Sequence, residues 1–177
     1  MHGKNNFAFI DGANLYLTYE NLDWKLDYAK LRTFLGKRLD VTVAWFFIGK
    51  NFTTDLDPKE LESYNYTVRL KNPSKHTDEE DYCPYCWKVI APDRDKYKAD
   101  CDSFMTFEVI SNLHLYNQAV IITSDGDFDE LVEKLLLKNK LRMVLAPSRN
   151  GCSGLLKYAA KQRIEFIDDY RTELEKL

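Results

Sequence analysis

AVIITSDGDF, residues 119–128, is an apolar β-branched run that ends abruptly in a paired-acid turn. Ala119–Thr123 is too short for a helix and rich in residues that favour strands, so it predicts a buried strand. Ser124-Asp-Gly-Asp127 follows at once, and a helix continues to about Asn139. The same grammar occurs near the start of the chain. There Asn6–Ile10 is apolar and ends at Asp11-Gly12, a strand followed by a tight turn. Near-continuous apolar strands are what a parallel sheet covered on both faces requires.

Working outward, strand and helix patterns alternate. A helix over Asn14–Glu20 is expected with Asn14 as its cap. Asp27 precedes an amphipathic helix in which Tyr28, Leu31, Leu35 and Leu39 recur near helical spacing, with Gly36 weakening its end. Val41–Ile48 and Tyr66–Leu70 read as strands, and Asp57-Pro58 opens a short helix between them. A helix over Asp102–His114 leads to the strand at Ala119. A strand at Arg142–Ala146, a helix near Gly154–Lys161, a short strand at Glu165–Ile167 and a terminal helix complete the chain. Residues 72–97 break the rhythm: they are polar and Pro-containing, and read as an exposed Cys-containing loop insertion in a single domain spanning 1–177. The alternation predicts an α/β fold with a central, mainly parallel sheet. In such sheets, sites form beyond the carboxyl ends of the strands.

The chain has 177 residues, 45% of them apolar and 30% charged, with a formal net charge of −3. Such a balance does not favour strong non-specific nucleic-acid binding. The N-terminus lacks a signal-peptide pattern and no apolar run is long enough for a bilayer, so the expectation is a cytoplasmic protein with no membrane partner. The cysteines at 83, 86, 101 and 152 are then expected as thiols or metal ligands, not disulfides.

The sheet-edge rule singles out Asp11, Asp125 and Asp127, which follow strands immediately. Asp102 begins the helix that feeds the strand at Ala119. Carboxylates gathered at one point repel each other unless a cation neutralises them. An all-oxygen site suits Mg²⁺ or Mn²⁺, and such an ion can activate a water and steady charge on a phosphate. Each acid also has a plainer reading. Asp11-Gly12 is a turn dipeptide, Asp102 favours a helix dipole, and Asp127-x-x-Glu130 matches a capping box. The joint pattern is far more specific than any member of it.

Phe9-Ile-Asp-Gly-Ala-Asn-Leu-Tyr16, Lys98-Ala-Asp-Cys-Asp102 and Ile122-Thr-Ser-Asp-Gly-Asp-Phe128, in that order, resemble the NYN domain, and within it the LabA-like (DUF88) branch of the PIN-like nucleases. The resemblance runs from about residue 6 to the final helix. It implies a Rossmann-like α/β/α sandwich and metal-dependent cleavage of RNA, a ribonuclease (hydrolase) activity. By that resemblance Asp11, Asp102, Asp125 and Asp127 are the catalytic and metal-site carboxylates, and Asn14 lies beside them. Ser124 stands where the family usually has Gly, and its hydroxyl is a candidate phosphate contact, as is Lys98. Glu108 lies near the place of a further family acid. Its sixth-residue offset from Asp102, about 240° of helix, points it elsewhere, so it and Thr123 are expected at most behind the ligands. The products expected are 5′-phosphate and 3′-hydroxyl ends.

Other readings compete. Cys83-x-x-Cys86 is half of a zinc site, but structural zinc needs four ligands, and His76, Cys101 or His114 would have to complete it. Tyr16, Tyr19 and Trp24 are expected in an exposed segment, as base-stacking groups or as a staple against the next helix. Lys134, Lys138, Lys140 and Arg142 read as a solvated face. Arg149, Lys157, Lys161 and Arg163 are candidates for an RNA track. As a whole the chain reads as a metal-dependent ribonuclease. The alternatives are an RNA-binding or regulatory NYN module without catalysis, and a phosphohydrolase acting on a small phosphate or nucleotide. A haloacid-dehalogenase-like phosphatase would need Asp-x-Asp after the first strand, and a dinucleotide-binding protein G-x-G-x-x-G; this chain has Asp11-Gly-Ala-Asn14 there. A homodimer would bring two sites to one RNA, although no apolar seam for it can be identified in the sequence.

Overall fold

β1 (Asn6–Asp11) is buried along its whole length, and the backbone turns directly into α1 (Gly12–Glu20). The computed structural model describes residues 5–20, 22–50, 56–76, 85–86, 96–99 and 101–176; for 74–76 and 96–98 it describes the backbone alone. α2 (Tyr28–Leu39) is capped by Asp27, whose carboxylate accepts the Lys30 N–H, and ends at Asp40 with φ 55°. β2 (Val41–Gly49), α3 (Pro58–Ser63, capped by Asp57) and β3 (Thr67–Lys71) follow. β4 (Ser74–His76) and β5 (Lys96–Lys98) pair antiparallel outside the main sheet. α4 (Cys101–Ser111), β6 (Ala119–Ile122), a 3₁₀ turn (Gly126–Phe128) and α5 (Asp129–Leu137) form the second half's opening. β7 (Leu141–Ala146), α6 (Gly154–Ala160), β8 (Ile164–Phe166), a second 3₁₀ turn (Ile167–Tyr170) and α7 (Arg171–Leu174) complete it.

The main sheet has six strands in the order β3-β2-β1-β6-β7-β8, every neighbouring pair parallel. This is the α/β/α arrangement expected from the alternation of strands and helices. Side chains alternate across a strand. Ala8 and Ile10 of β1 therefore join one core, with Leu15 and Tyr19 of α1, Leu31 and Leu35 of α2 and Leu174 of α7. Phe7 and Phe9 join the other, with Met105 and Val109 of α4, Leu131 and Leu135 of α5 and Leu156 of α6. Asp11 continues the parity of Phe7 and Phe9, which places it on the α4 side of the sheet.

The order reverses between β1 and β6. β1 leads away to β2 and β3, whereas β6 leads to β7 and β8 on the opposite side. Chains leaving neighbouring strands in opposite directions open a crevice at their carboxyl ends. Both acid-bearing turns leave the sheet there.

Several expectations require correction. Asn14 lies inside α1, which starts at Gly12, and it is the Asp11 carboxylate that accepts the Asn14 N–H at this helix end. Gly36 does not weaken α2, which continues to Leu39 under packing from Leu35 and Leu39. Tyr19 and Trp24 are buried, with ring centroids 4.7 Å apart, and the Tyr19 hydroxyl donates to the Pro147 carbonyl at 3.0 Å. Tertiary burial, not local pattern, decided their place. The edges of the 72–97 segment are strands β4 and β5. No described helix is long and apolar enough to cross a membrane.

Candidate metal centre

The site is assembled from β1, β6 and α4. Ile10 pairs in register with Ile122, so the next residues, Asp11 and Thr123, leave the sheet side by side. The Thr123 hydroxyl donates to Asp11 Oδ2 at 3.1 Å and accepts the Asp125 N–H at 3.1 Å. One threonine oxygen thus joins the two acid turns. The other Asp11 oxygen, Oδ1, accepts the Asn14 N–H at 3.1 Å. Asp125 caps the 3₁₀ turn by accepting the Asp127 N–H at 3.1 Å. Asp127 is therefore not a cap: α5 begins behind Phe128 without a side-chain cap, and the capping-box reading of Asp127-x-x-Glu130 is set aside.

Asp102 arrives for a topological reason. α4 returns the chain from the carboxyl edge of the sheet to the amino end of β6, so its first turn must lie at the carboxyl edge. Asp102 sits in that first turn. Asp102, Asp125 and Asp127 each present a carboxylate oxygen within 4.8 Å of the others, the one such group of potential metal ligands among the described residues. Asp102 and Asp125 are half-buried and Asp127 is exposed, so the cluster opens outward.

Asp11 lies behind this group. It is almost fully buried, and burial pushes its carboxyl up from 3.8 to about 6. Asp102 and Asp125 add to the rise by repulsion, while the hydrogen bonds from Asn14 and Thr123 oppose it.

The remaining sequence candidates divide clearly. Asn14 Oδ1 accepts both the Ser124 N–H and the Ser124 hydroxyl, each at 2.9 Å. Asn14 and Ser124 thus hold α1 to the segment after β6, and the Ser124 side chain is buried against Asn14. Lys98 ends β5, and its side chain lies outside the described atoms. Glu108 turns away from the cluster: it accepts from Arg69 at 2.9 Å, and Arg69 stacks over Trp45 at 4.4 Å. Cys86 is exposed, Cys101 is half-buried in the first turn of α4, and Cys83 lies outside the described residues.

The basic residues are mostly committed to structure. Arg149 pairs with Asp169 at 2.8 Å and lies over Phe166. Lys157 donates to the Arg149 carbonyl at 2.8 Å, and Arg163 to the Leu141 carbonyl. Lys140 is no solvated residue either, since its ammonium donates to the Leu113 and Tyr116 carbonyls at 2.8 and 2.6 Å.

Two features escaped the sequence reading. The Asn14–Ser124 bridge joins positions 110 residues apart, and no local pattern reports such a pair. Phe107, exposed on α4 beside the cluster, did carry a signal: it is out of phase with the buried Met105 and Val109.

Comparison with known proteins agrees with this architecture. The NYN domain matches residues 7–168. The low amplitude and bright protein LabA of Synechococcus elongatus is 24% identical over 177 residues, covering 95% of this chain and 86% of LabA. A protein of unknown function from Vibrio parahaemolyticus has a crystal structure that superimposes with a TM-score of 0.68 at 20% identity, covering 99% of this chain and 98% of that one. That likeness carries the fold. With the matched domain spanning nearly the whole α/β unit, the chain belongs to the NYN domain family, within the PIN-like nuclease superfamily.

Proposed function

We propose that this protein is a metal-dependent ribonuclease that hydrolyses RNA phosphodiester bonds at the Asp102–Asp125–Asp127 cluster. The observation that carries the proposal is the convergence of these carboxylates, within 4.8 Å, on the crevice where the strand order reverses. The donor set is entirely oxygen, which matches Mg²⁺ or Mn²⁺ better than softer ions. The repulsion that Asp102 and Asp125 exert on Asp11 is the further sign of a fit, because a cation would relieve it.

In this reading Asp102, Asp125 and Asp127 would hold the ion, with Asp11 as an additional carboxylate beneath them. When bound, the ion supplies charge neutralisation at the scissile phosphate and a more acidic attacking water. The protein's own groups supply position. Thr123 fixes Asp11 relative to the Asp125 backbone, and Asn14 fixes the Ser124 turn. The water oxygen, giving up a proton to solvent, bonds to phosphorus as the bond to the 3′ oxygen breaks, and that oxygen takes up a proton from solvent, leaving 5′-phosphate and 3′-hydroxyl ends. Lys98, next to the start of α4, is the proposed phosphate contact.

The test is incubation of labelled RNA, labelled DNA and nucleoside phosphates with Mg²⁺, Mn²⁺ or EDTA. Wild type should cut RNA only with metal, and Asp125→Asn should not cut at all. Equal RNA cleavage by wild type and Asp125→Asn would sink the assignment. Release of phosphate from nucleotides with intact RNA would identify a small-phosphate hydrolase instead. RNA retention without cleavage would identify a binding or regulatory module.

A further inference from the structure

α4 turns Met105 and Val109 to the sheet, so the residues between them face outward. Phe107 leaves 66% of its surface exposed, and Ile110, one turn on, is also exposed. Exposed large apolar side chains beside a polar site are informative when they form part of one surface with it. Here they do. An open cleft of about 780 Å³ is lined by Asp102 and Asp127 of the cluster and by Ser103, Thr106, Phe107 and Ile110 along α4. Along the helix, Phe107 stands roughly 7.5 Å beyond Asp102, about two base steps of stacked nucleic acid.

We propose that Phe107 is a base-stacking residue that positions an unpaired nucleotide of the RNA next to the carboxylate cluster, an inference that rests on the nuclease reading above. The occupant follows from the chemistry of the cleft. A protein partner that covered Phe107 with apolar surface would also bury Asp102 and Asp127 without opposite charge, at a large desolvation cost. A nucleotide meets both requirements: its flat base covers the aromatic ring, and its phosphate shares a cation with the acids. Unpaired bases expose their faces for stacking, whereas a duplex hides them in its own stack. The cleft therefore selects single-stranded RNA or the unpaired segment of a folded one. Thr106, on the same wall, carries a hydroxyl within reach of the sugar or the base edge.

Phe107 is a positioning residue in this scheme, and its substitution leaves the fold intact because the side chain packs little. The experiment has two arms. In Mn²⁺, kinetics are measured for wild type, Phe107→Ala and Phe107→Tyr on one RNA sequence, unpaired and as a duplex. Phe107→Ala should raise KM for the unpaired RNA on the order of tenfold, leave kcat nearly unchanged and leave the duplex rate unaffected, while Phe107→Tyr restores KM. In the second arm, single-stranded RNA carrying 2-aminopurine is bound to Asp125→Asn protein. Its fluorescence should be quenched with Phe107 present and not in the Phe107→Ala background. Active wild type with an unchanged KM in Phe107→Ala overturns the stacking role and leaves the nuclease reading standing. Phe107-dependent quenching with no cleavage by wild type supports stacking and removes the nuclease reading. A loss of self-association in Phe107→Ala by size-exclusion chromatography, with RNA binding unchanged, assigns the patch to a second copy of the chain and overturns the proposal.

Discussion

A single oxygen of Asn14, Oδ1, accepts both the backbone N–H and the hydroxyl of Ser124, each at 2.9 Å, and so ties the first turn of α1 to the segment after β6. Removing that oxygen leaves the part-buried Ser124 N–H without this partner. Asn14→Ala should therefore destabilise the protein by about 1–3 kcal/mol, the usual cost of orphaning a buried donor. It should also weaken Mn²⁺ binding, because Asp125 follows Ser124 directly. Urea denaturation and calorimetric titration read the two effects. Ser124→Gly keeps the N–H and should cost less on both.

The two glycines beside the acids should respond differently to alanine. A Cβ at Gly12 would lie 2.4 Å from the Phe46 ring and 2.6 Å from the Phe47 carbonyl oxygen, and the latter belongs to a sheet strand that cannot yield. Gly12→Ala should cost about 2 kcal/mol or more, within the range for overpacked cores. A Cβ at Gly126 meets the Ser153 hydroxyl at 2.6 Å, and that hydroxyl caps α6 by accepting the Leu155 N–H. Rotation of the serine relieves the clash at the loss of the cap, so Gly126→Ala should cost about 1 kcal/mol. Thermal melts of both variants check the order.

Stability of the metal-free protein should fall with rising pH in the acid range. Asp11 titrates at about 6 in the folded chain against 3.8 in the absence of the fold. The folded state thus holds this proton more tightly. The stabilisation linked to it is fully present below the lower value and is lost as pH passes the upper one. Asp11→Asn stays neutral throughout. In EDTA, its stability relative to wild type should rise between about pH 4 and pH 6 by roughly 2–3 kcal/mol. A flat difference across that interval would show that Asp11 ionises normally.

Neutralising one cluster acid should separate stability from metal response. Asp102→Asn reduces repulsion among Asp102, Asp125 and Asp127 and on Asp11. In EDTA its Tm should rise by about 1–3 °C, as expected for a gain of under 1 kcal/mol in a chain of this size. Added Mn²⁺ should raise the wild-type Tm and leave that of the variant unmoved. Differential scanning fluorimetry with and without metal distinguishes the two.

Glu108 provides the control. It pairs with Arg69 away from the cluster. Glu108→Gln should alter Mn²⁺ affinity less than twofold, whereas a loss of about tenfold, the scale of groups that support metal ligands, would return Glu108 to the site.

The sequence made the fold readable where local rules dominate. Asp27 and Asp57 cap their helices as expected, and the apolar runs at β1, β2, β6 and β7 are strands. It failed where distant packing decides: Tyr19 and Trp24 lie in a segment that looks exposed but is covered by the Pro147 turn and by each other. The four site acids were all visible, but not their ranking. Asp102 rested mainly on the resemblance, yet it sits in the tight group because α4 must start at the carboxyl edge. Strand order places Asp11 at the same edge as Asp125 and Asp127, yet it lies deeper, buried as the last residue of β1.

The position of β1 and β6 at the centre of the sheet has a kinetic meaning. Strands flanked on both sides and covered on both faces release their amide hydrogens only when the whole domain opens. Phe9, Ile10 and Ile121 are fully buried in these strands. The floor of the acidic crevice is therefore among the last parts of the molecule to exchange, while the outer face of α4 beside it carries no such constraint.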